Sequence, residues 1–382
     1  MASLLVVSQK NLGLAMFLSA FILGIFTIPE RLPLTKLSCL SNPSTMLLAI
    51  IVGLIPLIGG ILNETGQIDK LIRNMRIGKK PFLMLSPALV GLLPMPGGAL
   101  LSAPIVNKAG KGISKEKKAG INVWFRHILY LVYPISANFI ISTAAAQIGL
   151  YQPIPQLLVV LLFSLFLGYF FFLREDSGKI EYEQNFSLKD LLLPLAVLLI
   201  APFLDVLIRG FLNLPVKEIG TLIAVMTSLI LAMIIGKTDM KRFRGIMIRA
   251  KPWSFAFMII GILVFLDVFK DSGIPKLLED VPMTPEILYG IAVVLGFMTG
   301  RMITPAGIIF PIYLTKFGAI SPSTFALMYF GIFLGYVLTP VHPCISLTSE
   351  SLEVELKDYI EAVIPPVAIG LFVSLLALHF LS

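Results

Sequence analysis

The segments Gly91–Pro104, GLLPMPGGALLSAP, and Gly300–Tyr313, GRMITPAGIIFPIY, decide the predicted fold of this chain. Each places a cluster of proline and glycine in the middle of an apolar run, centred on Pro96 and Pro305, which are 209 residues apart. Proline removes a helical hydrogen bond and glycine favours non-helical backbone. Each run is therefore predicted to be interrupted at its centre.

A second interrupted segment follows each of these runs. LYLVYPISANFIIS, residues 129–142, surrounds Pro134, and GYVLTPVHPCISLT, residues 335–348, surrounds Pro340, 206 residues later. Paired apolar segments with central breaks, at corresponding places in two halves, are typical of secondary transporters that bind their substrate between the halves.

The composition predicts a membrane protein. Apolar residues make up 57% of the chain, charged residues only 14%, and the mean hydropathy is +0.92. Because a spanning helix needs about 20 mostly apolar residues, we predict an all-α polytopic protein with nine spanning helices, two of them broken, and two re-entrant hairpins. The predicted crossings are 11–29, 45–62, 120–148 (broken), 154–173, 188–212, 217–236, 253–270, 325–348 (broken) and 359–381.

Cysteine and histidine usage argues against a metal centre. The two cysteines, Cys39 and Cys344, support neither a disulfide framework nor a metal cluster. The three histidines, His127, His342 and His379, are scattered along the chain. We therefore expect neither a metalloenzyme nor a resident cofactor. The net charge of +8 is better explained by cytoplasmic loops than by nucleic-acid binding.

The distribution of basic residues predicts the orientation. With a cytoplasmic amino terminus, an outer carboxyl terminus and two re-entrant hairpins, 21 of the 30 Lys and Arg residues lie inside. The predicted location is the cell membrane, inner or plasma, as a multi-pass protein. Lysines flank 81–107 on both sides, and 15 residues of helix span roughly 22 Å against a hydrocarbon core of about 30 Å. The alternative is one long, proline-kinked helix.

The topology also predicts that the halves are inverted. Each half contributes four crossings, and the unpaired helix 188–212 makes the total odd. The second half is then upside down relative to the first, and the hairpins 81–107 and 284–314 enter from opposite sides.

The breaks are the predicted binding site. Unwound backbone survives in the membrane only where protein or a polar cavity surrounds it, and its carbonyls and helix termini bind ions. For any single hydroxyl, a bond to its own backbone is the better interpretation. The candidate substrate-binding and ion-binding residues are Pro96, Gly97, Gly98, Ser102, Tyr133, Pro134, Ser136, Asn138, Arg301, Thr304, Pro305, Gly307, Thr339, Pro340, His342 and Ser346.

Few charged residues fall inside the predicted membrane zone. Arg301 lies beside the second hairpin tip, where a guanidinium suits a carboxylate or phosphate, although a structural ion pair is the alternative. Arg126 and His127 are better explained as interface anchors. His342 is the main protonation candidate. Since no acidic residue lies deep in a span, sodium coupling is favoured over proton coupling.

This order of elements resembles the ion transporter superfamily, which includes divalent anion/sodium symporters, citrate carriers and gluconate permeases. The stretch LLPMPGGALLSAP also resembles an uncharacterised prokaryotic integral-membrane family of unknown function. The resemblance implies an elevator-like transport domain on a static, dimeric scaffold. Dicarboxylate members carry Ser-Asn-Thr at their hairpin tips, whereas residues 94–98 and 303–307 read Pro-Met-Pro-Gly-Gly and Ile-Thr-Pro-Ala-Gly. This departure leaves the substrate open.

The resemblance also implies the domain boundaries. The predicted units are 1–80, scaffold helices of the first half; 81–173, the first transport-domain half, with hairpin 81–107, broken helix 120–148 and helix 154–173; 174–283, a cytoplasmic linker and scaffold helices including 188–212; and 284–382, the second transport-domain half, with hairpin 284–314, broken helix 325–348 and helix 359–381.

The functional hypothesis is a cation-coupled secondary transporter of a small, anionic organic solute, and not an enzyme. Its partners would be the organic anion, a coupling Na⁺ or H⁺, the lipid bilayer and a second copy of the chain, with no nucleic acid. A cation/proton antiporter is an alternative within the same class. An intramembrane enzyme acting on lipid-linked substrates is the alternative from another class, but the sequence contains no Gly-x-Ser-x-Gly element, no His-Glu-x-x-His element and no paired intramembrane aspartates.

Overall fold

A computed structural model describes residues 12–31, 40–92, 98–176, 178–180, 182, 185–274, 277 and 282–381. Within these ranges the chain forms seventeen α-helices and no strand. In chain order, α1 to α17 are Leu12–Thr27, Pro43–Glu64, Gln67–Arg73, Lys79–Gly91, Gly98–Ala109, Lys115–Ile128, Ala137–Ala145, Ile154–Gly168, Leu188–Phe211, Glu218–Ile235, Met240–Ala250, Pro252–Asp271, Pro285–Thr299, Ile303–Phe317, Pro322–Leu338, Pro343–Leu352 and Leu356–Leu381.

Local sequence explains where several helices begin. Side chains of Ser136, Ser187, Asp239, Thr284 and Ser321 accept a hydrogen bond from the backbone N–H three residues later, at the starts of α7, α9, α11, α13 and α15. Such caps satisfy amides that the helix leaves unpaired. Proline at the first helical position of α13, α15 and α16 has the same effect, because it has no amide to satisfy.

The helices confirm an all-α, multi-pass membrane protein. Six described helices are long and apolar enough to span a membrane, and the bent pair α15–α16 makes a seventh. The predicted total of nine crossings is not shown. The two predicted crossings that are not among the seven are 11–29 and 120–148. The first corresponds to α1, which has only 16 residues in the described range, and the second begins in α6, whose first turn carries three lysines.

Both predicted hairpins are pairs of short helices packed on each other. The first comprises α4 and α5, of 13 and 12 residues, and the second comprises α13 and α14, of 15 residues each. At 1.5 Å per residue, each arm is about 18–23 Å long, less than the hydrocarbon thickness of about 30 Å. A single kinked helix through 81–107 is therefore wrong. The first tip, residues 93–97, lies outside the described residues, and so do the predicted site residues Pro96 and Gly97.

Both predicted helix breaks are present. After α6, a 3₁₀ turn at Leu129–Leu131 leads into non-helical backbone that ends at Ser136. Between α15 and α16 the backbone is extended at Thr339, and the two helices meet at a bend of 41°. These breaks surround Pro134 and Pro340, whose missing amides prevent a continuous helix.

The order and packing of helices recur in the two parts of the chain. The starts of α4 to α7 precede those of α13 to α16 by 205 to 207 residues. In both sets the first hairpin arm packs on the helix before the break, as α4 on α6 and α13 on α15. The second arm packs on the half-helix after the other set's break, as α5 on α16 and α14 on α7. The two sets are thus interlocked, while their inversion in a membrane stays a prediction.

The helices α8 and α17 pack on the broken helices α6 and α15, whereas the other remaining helices pack mainly with one another. α12 contacts α1 and α2, α10 contacts α2 and α9, and α3 and α11 lie against α9 and α2 respectively. Fewer contacts join this group to the hairpins and broken helices, chiefly those of α7 with α12 and α2 and of α14 with α12.

Candidate functional site

Arg126 is the most unusual residue among the interrupted helices. It lies in the last turn of α6 with only 2% of its surface exposed. Its Nη1 donates to the carbonyl oxygen of Gly98 at 2.8 Å and to Oγ of Ser102 at 3.1 Å, and no described residue accepts a hydrogen bond from its Nε. Within the described ranges, no carboxylate forms an ion pair with it. A buried positive charge is thus held by neutral oxygens at the start of α5.

The first hairpin is fitted closely around this residue. A Cβ at Gly91, the last residue of α4, would overlap the carbonyl oxygen of Arg126. Only glycine therefore allows α4 to approach α6 at this level. Hairpin and broken helix meet backbone to backbone beside the guanidinium.

Two histidines from the two broken helices meet next to Arg126. The ring centroids of His127 and His342 are 4.7 Å apart, and both side chains are buried. Tyr336 packs on both rings, at 4.1 Å from His342 and 5.1 Å from His127. His127 ends α6 and His342 caps α16, so the contact joins residues 215 positions apart. Cys344 follows in the first turn of α16 and lies close to the guanidinium of Arg126.

The tip of the second hairpin rests on the second break. Gly300 ends α13 in the left-handed conformation, with φ of 59°, which glycine adopts at little cost. A Cβ there would lie 3.1 Å from the backbone nitrogen of His342. Arg301 comes next and is half-buried. The structure therefore brings Gly98, Ser102, Arg301, Thr339, Pro340 and His342 of the predicted site into one region, with Arg126 at its centre.

Two further polar contacts join the broken helices. Nδ2 of Asn122 donates to Oγ1 of Thr348 at 2.8 Å between two buried side chains, and Oδ1 of Asn122 has no partner. The hydroxyl of Tyr329 on α15 donates to the carbonyl of Tyr130 in the first break at 3.2 Å. An unwound carbonyl is thus satisfied by protein, as burial requires.

Most predicted hydroxyl ligands make local backbone bonds. Ser102 donates to Gly98 and Ala99, Ser136 caps α7, and Oγ1 of Thr339 accepts from the amide of Val341. Thr304 differs, because its buried Oγ1 has no partner. These contacts agree with the interpretation that a single hydroxyl is more often a backbone partner than a ligand.

Several predicted site residues lie away from Arg126 or are only packed. Tyr133 donates its hydroxyl to the carbonyl of Leu198 on α9 at 2.7 Å, and Gly307 faces Ile262 of α12. Ser346 is exposed on α16. Of the remaining predicted site residues, Pro134 and Pro305 are buried and Asn138 is half-buried.

One sequence-based interpretation is wrong. Arg126 and His127 are not interface anchors, since they are 2% and 1% exposed. The histidines are scattered along the sequence, but the fold brings His127 and His342 into one cluster with Cys344. The lysines at the start of α6 favoured the interface, but α4 and α5 cover the end of that helix, which only tertiary structure reveals.

A second buried charge lies on α9. Asp205 has no exposed surface and accepts hydrogen bonds from the Tyr151 hydroxyl at 2.7 Å, Arg209 Nε at 3.0 Å and Thr221 Oγ1 at 2.9 Å. Arg209 also donates to Thr221 at 2.7 Å. The carboxylate is thus paired and fully hydrogen-bonded within the protein.

Two cavities carry an excess of cationic side chains. One of about 400 Å³ lies between α2, α7, α10 and α12, and its charged lining residues are Arg209, Lys217, Glu218, Asp267 and Lys270. The other, of about 530 Å³, lies beside α3, α4 and α5, and its charged lining residues are Asp69, Arg73, Lys108, Lys111 and Lys179. No predicted site residue lines either cavity.

The chain belongs to the DUF401 family, described as "Protein of unknown function", whose model matches residues 1–381. Its fold is similar to that of the Alcanivorax borkumensis YdaH transporter, a crystal structure described as revealing an unusual topology. The TM-score is 0.62 at 11% sequence identity, with 96% of each chain covered. No curated protein sequence matches the chain. The resemblance to an uncharacterised family agrees with this result, while membership of the ion transporter superfamily stays a prediction.

Proposed function

We propose that this DUF401 protein is a secondary transporter that carries a small organic anion across the membrane, coupled to a cation. The observation that carries the proposal is the buried guanidinium of Arg126 among four interrupted elements, with no carboxylate partner in the described part of the chain. A charge in a membrane interior is expensive and is retained for a pairing or binding role. An anionic substrate would supply the missing countercharge.

The chemistry of this site favours a carboxylate or phosphate. Arg126 donates to protein oxygens through Nη1, whereas its Nε has no partner in the described part of the chain and can donate to a ligand oxygen. A guanidinium binds such groups through two parallel hydrogen bonds. Arg301, on the second hairpin, is the second candidate for the same anion, and Thr304 has a buried hydroxyl without a partner. We therefore rank Arg126 above Arg301, reversing the order that the sequence favoured.

The charged side chains that line the two cavities support an anionic substrate. Under the predicted topology, the cavity with Arg209, Lys217 and Lys270 opens outside. The cavity with Lys108 and Lys111 opens to the cytoplasm. Cations outnumber acids in both, so each would concentrate anions, the first beside the half-helix α7 and the second beside the hairpin arms α4 and α5.

We also propose an elevator-like cycle in a dimer, and the packing within the chain supports the two groups of helices that such a cycle needs. The hairpins and broken helices pack mainly with each other, and α1, α2, α9, α10 and α12 form a separate group that fits the predicted scaffold. The shared fold with a transporter supports the same class of function. Sodium is the favoured coupling ion, bound by neutral oxygens at the breaks, and H⁺ is the alternative.

The proposal is tested by ligand-dependent stability of the purified protein. A panel of organic anions is added with Na⁺ present or replaced by choline, and the thermal unfolding midpoint is measured. A substrate raises the midpoint by mass action, and we expect at least one carboxylate or phosphate to do so more strongly with Na⁺. Arg126→Gln should abolish the shift, whereas Arg249→Gln, at a surface pair with Glu64, should keep it.

A transport assay distinguishes the proposed transporter from an enzyme that acts on lipid-linked substrates. Counterflow of the stabilising anion in proteoliposomes is expected for a transporter. A changed lipid product without any ion gradient, together with no stabilisation by any anion, would refute the proposal.

A further inference from the structure

We infer that His127, His342 and Cys344 form a binding site for a thiophilic transition metal ion, with Zn²⁺ as the best-matched ion. One imidazole nitrogen from each histidine and the Cys344 sulfur all lie within 4.8 Å of one another. Both histidines are buried and Cys344 is half-buried. The inference does not depend on anion transport, because it concerns binding alone.

The three ligand atoms would have to move only a short distance closer together to bind one metal ion. Zinc binds nitrogen at about 2.0–2.1 Å and thiolate at about 2.3 Å, so ligand atoms around one tetrahedral ion are about 3.3–3.8 Å apart. Separations up to 4.8 Å need a shift of about 1 Å. His342 lies in the break between α15 and α16, where the backbone is already non-helical. This is the element best able to provide that shift.

The hydrogen bonds orient His127 as a ligand. Its Nδ1 lies 2.7 Å from the carbonyl oxygen of Val123. A carbonyl only accepts, so Nδ1 carries the proton and Nε2 keeps its lone pair. Metal-bound histidines commonly donate their other ring nitrogen to a carbonyl in this way.

His342 provides the independent observation that a ligand is missing. Its Nδ1 is buried and has no hydrogen-bond partner among the described residues. Buried polar atoms are nearly always satisfied, so a buried ring nitrogen without such a partner, on a histidine that belongs to a three-residue donor cluster, indicates a bound group. A metal ion would satisfy it and would bind the thiolate of Cys344 in the same place.

The donor set selects the class of metal. Two imidazoles and one thiolate suit Zn²⁺, Co²⁺ or Cu⁺, whereas Mg²⁺ and Ca²⁺ require oxygen ligands. Three protein ligands leave one coordination position open, as in zinc sites that act on an exogenous ligand. Arg126, beside Cys344, would favour an anion at that position. Binding replaces the thiol proton by the metal, and that proton leaves to solvent.

The first test is cobalt binding to the purified full-length protein. We expect one Co²⁺ per chain, a cobalt–thiolate charge-transfer band in the near ultraviolet, and displacement by Zn²⁺. Cys344→Ser should remove the band, and His342→Ala should lower the affinity at least tenfold. Cys39→Ser and His379→Ala are the matched controls and should bind cobalt as the wild type does. Absence of the band in folded wild-type protein, or its persistence in Cys344→Ser, would overturn the inference.

A second measurement leaves the site intact. In the Cys39→Ser background, Cys344 is the one remaining cysteine. Preincubation with Zn²⁺ should slow its alkylation by N-ethylmaleimide at least tenfold, and Mg²⁺ should have no effect. An alkylation rate unchanged by Zn²⁺ would contradict the inference. Because neither assay measures transport, failure here leaves the proposed anion transport standing, and failure of transport leaves this site standing.

Discussion

Asp205 and Arg126 are both buried charges in apolar helices, but the protein treats them differently. Asp205 accepts hydrogen bonds from Tyr151, Arg209 and Thr221, and one of these donors carries the opposite charge. Arg126 donates to one carbonyl and one hydroxyl, and its Nε has no partner among the residues that the structure describes. Within that part of the chain, the hydrogen bonds of Asp205 are complete and those of Arg126 are not.

This difference separates a structural charge from a functional one. The ion pair of Asp205 with Arg209 lies within α9, and the hydrogen bonds of both side chains with Thr221 join α9 to α10. A buried cation surrounded by neutral groups lacks a counterion, so a bound anion would stabilise it. Substitutions in the two regions should therefore affect different quantities, stability for Asp205 and ligand binding for Arg126.

The largest effect is expected for Arg126→Gln. Transport of the identified anion should fall by about two orders of magnitude or more, since a bidentate charged contact in a dry site is lost. The thermal midpoint without ligand should stay within a few degrees of the wild-type value, because no described carboxylate loses an ion-pair partner when the charge is removed. Measured counterflow close to that of the wild type would remove the distinction between the two regions.

Arg209→Gln should act mainly on stability. It leaves the buried carboxylate of Asp205 without its cation, a change that costs about 3–5 kcal/mol in buried pairs. Thermal unfolding in detergent should show a clear drop in midpoint, and the double variant with Asp205→Asn should recover part of it. If the double variant is no more stable than the single one, the pair is not the source of the stability.

Gly91→Ala should have an intermediate effect. The added methyl group overlaps the carbonyl of Arg126, so α4 must move away from α6. Overpacking of this kind costs about 1–3 kcal/mol. Both the midpoint and the anion-induced shift should fall, and Gly210→Ala, whose Cβ meets nothing nearby, is the control. A ligand shift that is unchanged in Gly91→Ala would show that the hairpin does not shape the site.

The smallest effect is expected at the surface pair Lys115–Glu353, which links the start of α6 to the end of α16 through exposed side chains at 2.8 Å. Lys115 holds the pKa of Glu353 below its usual value through this hydrogen bond. Solvent screens such pairs, so Lys115→Ala should leave the thermal midpoint unchanged within error. A large drop would show that the break site depends on contacts far from Arg126.

The breaks were predictable because their causes are local. Proline and glycine favour helix ends by removing an amide or freeing the backbone, and the interruptions at Pro134, Pro340 and Gly300 follow from this. Proline alone does not decide the position, since Pro305, the predicted centre of the second hairpin tip, lies inside α14 and the interruption is at Gly300. The spacing of the two sets was visible for the same reason. The hairpins followed from arm length and flanking lysines, which need no knowledge of packing.

The composition of the site was not predictable in the same way. Arg126 and His127 follow a lysine-rich helix start, and nothing local shows that the first hairpin covers them. The contact of His127 with His342 joins distant parts of the chain, and the role of Cys344 depends on that contact. Such pairs arise from the interlocking of two sets of helices. The spacing of residues along the sequence does not predict these contacts.

The exchange of partners between the two sets, with α5 on α16 and α7 on α14, has a consequence for biosynthesis. When the ribosome has released only the first set, the second arm of its hairpin still lacks the half-helix that covers it. The break region is therefore assembled late, after Leu352 has emerged, and a chain cut near its middle cannot present a finished pocket. Two separately expressed halves would have to associate before either one could bind a ligand.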